Sequence, residues 1–77
     1  ASGEEILQML QSVKALLESD FDANKTAIET LLKQAETKSE SEYSDVSTIL
    51  NSAESLLETG DADTIATLVD SAMSMVQ

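Results

Sequence analysis

The chain has 77 residues, with fifteen Asp and Glu against four Lys and no Arg, His or Cys, for a formal net charge of −11. So short a chain forms one domain with a modest core, because it buries only about 60% of its unfolded surface on folding. The charge argues against nucleic-acid binding, which needs Lys and Arg to neutralise phosphates, and against anionic membrane surfaces; the missing Cys and His remove disulfides, thiolates and imidazoles from the available chemistry.

Apolar spacing divides the chain into four segments, and the punctuation between them is sparse, with no proline and only Gly3 and Gly60. In the first segment Ile6, Leu10, Val13 and Leu17 step by 4, 3 and 4, flanked by Leu7, Met9 and Leu16. This is one face of an α-helix, predicted over about 3–19, and Ser2 with Glu5 three residues on forms a capping box at its start.

The second helix is predicted over about 22–38, with Ile28, Leu31 and Ala35 on the core face and Ala27 and Leu32 beside them. Asp20 or Asp22 supplies its cap. Asp20, Asp22 and Asn24 also match the opening of a calcium-binding loop, in which alternate side chains present oxygens to one ion. That loop fails further on: Lys25 stands where its turn glycine belongs, and Leu31 where its bidentate Glu belongs. The run is therefore read as a cap favoured by the positive end of the helix dipole, with no metal. Asn24-Lys25-Thr26 fits the glycosylation acceptor pattern, which is short and frequent by chance.

A third helix over about 42–59 carries Tyr43, Val46, Leu50, Ala53 and Leu57, with Ile49 and Leu56 alongside. Ser39 with Glu42 is a candidate capping box, and Gly60 is a left-handed stop. The fourth helix, over about 61–76, runs Ala62, Ile65, Val69, Ala72 and Val76, with Asp61 placed to cap it and Asp63 in its first turn. These alternations of three and four belong to a left-handed bundle rather than to strands. The fold expected is a single all-α domain over 1–77, an antiparallel four-helix bundle made of two similar helical hairpins. The similarity lies in two stretches: Gln11–Glu18 parallels Asn51–Glu58 at an offset of 40, and Ile28–Ala35 parallels Ile65–Ala72 at an offset of 37. Two units are fewer than a stacked array needs, which favours a closed bundle.

Leu16-Leu17-Glu18, followed by an acidic turn and a second helix, resembles the hairpin of tetratricopeptide repeats, but the aromatic and proline positions of that pattern are missing. Size, acidity and four helices resemble an acyl carrier protein, whose prosthetic group would sit on an Asp-Ser pair opening the second helix. The Asp-Ser pair of this chain is Asp70-Ser71, deep in the last helix, and so departs from that family's pattern. Lys14–Phe21 is similar to the first turn of helical modules in bacterial surface proteins, over too short a stretch to name a family.

The remaining chemistry is carboxylates, lysines, hydroxyls and Tyr43. Paired carboxylates can hydrolyse glycosides only beside a substrate cleft, for which so small a core has little room, so the chain is read as no enzyme and as needing no cofactor. What stands out is uneven charge. Residues 1–38 hold seven acids and all four lysines, net −3; residues 39–77 hold eight acids and no base, net −8. The apolar stripes of the first and last helices are also the widest, and Leu7, Met9 and Leu16 on one with Leu68, Met73 and Met75 on the other lie at their edges. These six are the candidate partner-binding residues for a protein, of basic character, or for self-association. The alternatives are an inhibitor that mimics nucleic acid toward a DNA- or RNA-binding protein, and a structural spacer module of a larger secreted or virion protein. Composition leaves the compartment unassigned.

Overall fold

A computed structural model describes residues 2–77, apart from the side chain of Ser2, so the capping box expected of Ser2 and Glu5 lies outside the described residues. Four helices make up the chain, α1 (Ser2–Ser19), α2 (Phe21–Ser39), α3 (Ser44–Ser55) and α4 (Ala62–Val76).

The connections follow from local hydrogen bonding. Asp20 alone joins α1 to α2; its extended backbone reverses the chain, and its carboxylate accepts from the Ala23 N–H at 3.2 Å. The side-chain amide of Asn24 donates to the Leu16 carbonyl at 3.4 Å, serving one of the carbonyls orphaned at the end of α1. Of the two caps expected for α2, Asp20 is the one used. Asp61 caps α4 as expected, accepting from the Thr64 N–H at 3.2 Å and from its hydroxyl at 2.8 Å. Gly60 stands at φ 76°, the left-handed stop that its sequence position suggested.

Two boundaries differ from expectation, both at α3. After Ser55 the backbone bonds shorten their reach, from Leu56 to Ala53, Leu57 to Glu54 and Thr59 to Leu56, so the chain leaves α3 through tight three-residue turns instead of continuing to 59. At the other end the capping box of Ser39 and Glu42 does not form. Ser39 is the buried last residue of α2, its hydroxyl donating to the Glu36 carbonyl at 2.9 Å, and Tyr43 precedes α3 with no side-chain cap.

Each helix, with Leu57 just past the end of α3, puts one residue in each of four layers at steps of three and four. The rows are Ile6, Leu10, Val13, Leu17; Ile28, Leu32, Ala35, Ser39; Val46, Leu50, Ala53, Leu57; and Ile65, Val69, Ala72, Val76. Leu32, not Leu31, holds the second layer of α2, while Leu31 is half-buried on the flank; Tyr43 and Ala62 are half-buried and cover the ends of their rows.

The packing closes a ring, with α1 on α2, α2 on α3, α3 on α4 and α4 back on α1. The antiparallel order of α1 and α2 brings Lys38 at the end of α2 to within 3.0 Å of Glu5 at the start of α1. Gly3 marks where three helices meet: a Cβ on it would lie 2.6 Å from the Tyr43 hydroxyl and 3.4 Å from the Val76 carbonyl. The ring itself does not single out two hairpins. Residues 11–18 and 51–58 nevertheless show the same order of buried, half-buried and exposed positions.

Candidate interaction surface

Outside the four core rows, each helix carries two flanking rows that face its neighbours, and a known contact assigns each row. Lys14 reaches Asp70 of α4 at 2.8 Å, so Leu7, seven residues earlier and hence on the same side of α1, also faces α4. Met9 lines a groove of ≈ 540 Å³ with Lys33, Gln34, Thr37 and Lys38 of α2, which puts Leu16, seven residues on, at the α1/α2 seam. On α4, Met75 lines a second groove, ≈ 330 Å³, with Glu42, Tyr43, Ser44, Asp45 and Val46 at the start of α3. Leu68 shares that flank by the same spacing, and Met73 lies on the opposite flank, toward α1.

The six candidate residues therefore occupy three seams rather than one continuous groove. Leu7, Met9, Leu16, Leu68 and Met73 are half-buried and packed against the core. Met75 is 48% exposed. Leu7, Met73 and Met75 do share one end of the bundle, where α1 begins and α4 finishes. The residues that the sequence reading did not associate with this end are Tyr43, Glu42 and Asp45, which bring an aromatic ring and two carboxylates beside Met75. Their nearness depends on how α3 enters the bundle, and short-range spacing carries no signal of that.

Charged groups are distributed unevenly over the seams. The Lys38 ammonium beside Glu5 holds that carboxyl below its ordinary value, and the bond to Asp70 raises Lys14. Lys33 keeps a looser contact with Glu29, 3.7 Å away on its own helix. At the α2/α3 seam Glu54 is half-buried, and its Oε2 is buried without a hydrogen-bond partner. Burial first, then the Glu36 carboxyl against it, push the Glu54 carboxyl up to about 7. A third cavity, ≈ 300 Å³, opens beside it, lined by Lys25, Thr26, Glu29, Glu54, Leu57 and Glu58.

The acidic run at the start of α2 is used structurally, as Asp20 caps the helix and Asn24 bridges to α1. Among the described residues no three His, Cys, Asp or Glu converge where a metal ion could be held, and no helix is long and apolar enough to cross a membrane. Comparison of the chain with family models, with curated proteins and with solved structures finds no match.

Proposed function

We propose that the chain is a non-enzymatic protein-interaction module that receives a basic amphipathic segment of its partner at the end of the bundle around Met75. One observation carries the reading: Met75, a large apolar side chain, stands 48% exposed in a groove whose rim includes Glu42 and Asp45. Covering a thioether that water now touches supplies the favourable apolar term, and Met adapts its shape to varied partners. The acidic rim belongs to the half of the chain with eight acids and no base, so its field attracts a cationic segment and steers its approach. Leu7 and Met73 extend the apolar end toward α1.

A designed Leu/Lys helical peptide is a sufficient probe. Its affinity for the wild type, measured calorimetrically, should fall about five- to tenfold in Met75→Ser, the size expected for losing the burial of one partly covered side chain. The helical circular dichroism should stay unchanged. Equal binding by wild type and Met75→Ser would sink the reading. A mimic of nucleic acid would instead give binding that competes with DNA and ignores Met75, and a second copy as occupant would appear as a dimer that Met75→Ser dissociates in sedimentation.

A further inference from the structure

Two grooves near one end of the bundle carry opposite signs. α1 and α3 begin at that end and α2 and α4 finish there, with Lys38 beside Glu5 and Gly3 beside Tyr43 and Val76. Around the ring the α1/α2 seam stands opposite the α3/α4 seam. The α1/α2 groove, ≈ 540 Å³, combines the half-buried thioether of Met9 with the exposed ammoniums of Lys33 and Lys38. The α3/α4 groove combines the exposed thioether of Met75 with the exposed carboxylates of Glu42 and Asp45. Two of the four lysines therefore line the first groove, and the half of the chain that lines the second has none. Lys33 has Glu29 at 3.7 Å and Lys38 has Glu5 at 3.0 Å. Exposed pairs of this kind contribute little, and an ammonium has three protons to donate, so each lysine can also take an incoming carboxylate.

We propose that the basic segment received at the Met75 end is the α1/α2 groove of a second copy of this chain, with Met75 seated beside Met9 while Glu42 and Asp45 meet Lys33 and Lys38. The docking rests on the Met75 end being a binding surface and names its partner. The two grooves lie on opposite sides of a bundle whose shorter extents are 19 and 18 Å, so the contact joins unlike surfaces and runs head to tail, leaving each copy one surface for a further neighbour. A groove of ≈ 540 Å³ is in the range that holds a drug-sized ligand, which leaves ample room for one Met side chain. A contact this small is weak, with a dissociation constant on the order of 0.1 mM. The net charge of −11 on each copy opposes it, but over a longer range than the paired groups. The screening length falls from about 30 Å at 0.01 M salt to about 8 Å at 0.15 M, which removes repulsion between whole molecules while groups in contact keep much of their attraction. Self-docking therefore strengthens over this interval, whereas a basic peptide on the same end weakens.

The test is sedimentation equilibrium of the intact chain over concentrations that span the expected dissociation constant. The average mass should climb with concentration past that of a dimer, and more steeply at about 0.15 M salt than at about 0.01 M. Met75→Ser should weaken the association about five- to tenfold. Two double variants, all at exposed positions, then separate the surfaces: Lys33→Glu with Lys38→Glu removes the basic groove and keeps the Met75 end, and Met75→Ser with Asp45→Asn does the reverse. Each alone should stay monomeric where the wild type associates, with helical circular dichroism unchanged. Their equimolar mixture should give a one-to-one complex and nothing larger, since one matched pair of surfaces remains. A wild type that stays monomeric while the Leu/Lys peptide still binds in a Met75-dependent way overturns self-docking and leaves the Met75 end a binding surface; failure of both removes both. Double variants that each associate alone, or a mixture that does not, overturn the pairing of these two grooves.

Discussion

The α1/α4 and α2/α3 seams occupy equivalent places in the ring, yet they are finished with opposite chemistry. By the offsets of 40 and 37 that align the two halves, Lys14 corresponds to Glu54 and Asp70 to Lys33, so the charges are inverted position by position. In the first seam Lys14 and Asp70 meet at 2.8 Å, with Leu7 and Met73 on the same flanks toward the end where α1 begins and α4 finishes. In the second, Lys33 turns to Glu29 and leaves Glu54 against Glu36. The core rows beneath are alike, four layers at the same steps. Core packing thus sets the architecture, and the flanking rows set how each seam is finished, one with a paired charge and the other with the half-buried Glu54 carboxyl.

If the cores are equivalent, equal deletions in them should have equal effects. Leu10 and Leu50 are counterparts at the offset of 40, and both are wholly buried. Replacing either by Ala removes the same methyl groups from the second layer and should cost about 2–5 kcal/mol, with the two values within about 1 kcal/mol of each other. Chemical denaturation of the two variants checks this, provided each keeps the slope of the wild type. Widely different losses would break the comparison at its base, showing that the halves share a pattern but not a packing.

A smaller effect should convert one seam into the other. Glu54→Lys places an ammonium against Glu36 and Glu29, and so rebuilds at α2/α3 the opposite-charge contact of α1/α4. It removes a like-charge contact and adds a half-buried pair, and it should raise stability at pH 8 by about 1 kcal/mol. In the wild type the Glu54 carboxyl, raised from 4.5 to about 7, makes stability fall as pH rises through that window. In the variant this dependence should reverse, because the new attraction requires ionised carboxylates and weakens as acid protonates them. Thermal melts at pH 5 and pH 8 read both changes. A variant less stable than the wild type at pH 8 would mean that the seam has no room for the longer chain and is limited by shape rather than charge.

The legible part of this molecule was the part governed by short-range rules. Steps of three and four among apolar residues marked the core rows of α1, α3 and α4, and Asp20, Gly60 and Asp61 announced turns that the structure uses. The misassigned layer of α2 has a specific cause. Its fourth core position is Ser39, whose hydroxyl is satisfied by its own helix, so the row shows only three apolar residues and Leu31 fits them as well as Leu32 does. The same serine, read as a cap, moved the expected start of α3. Flank chemistry was legible only in part: lengths of side chains at the edges were visible, but their assignment to a particular neighbour needed the order of helices around the ring. That is why Met9 and Met75, grouped as edges of the first and last stripes, prove to face α2 and α3.

The smallest effect belongs to the contact that looks strongest. Lys14 and Asp70 approach to 2.8 Å, but the Asp70 side chain remains 55% exposed, and water screens what the geometry gains. Asp70→Asn keeps the size and a hydrogen-bond acceptor while removing the charge, and it should lower the melting temperature by no more than a few degrees. High salt should erase most of that difference, since an exposed pair is screened within about 10 Å at 0.1 M ionic strength. The Met73 and Leu7 contacts beside it are apolar and should not respond to salt. A larger loss that persists in high salt would reassign the firmness of the α1/α4 seam to Asp70 itself. A small, salt-sensitive one places it in the apolar flank, and then the difference between the two seams is chiefly that one has Leu7 and Met73 where the other has Ser47 and Glu36.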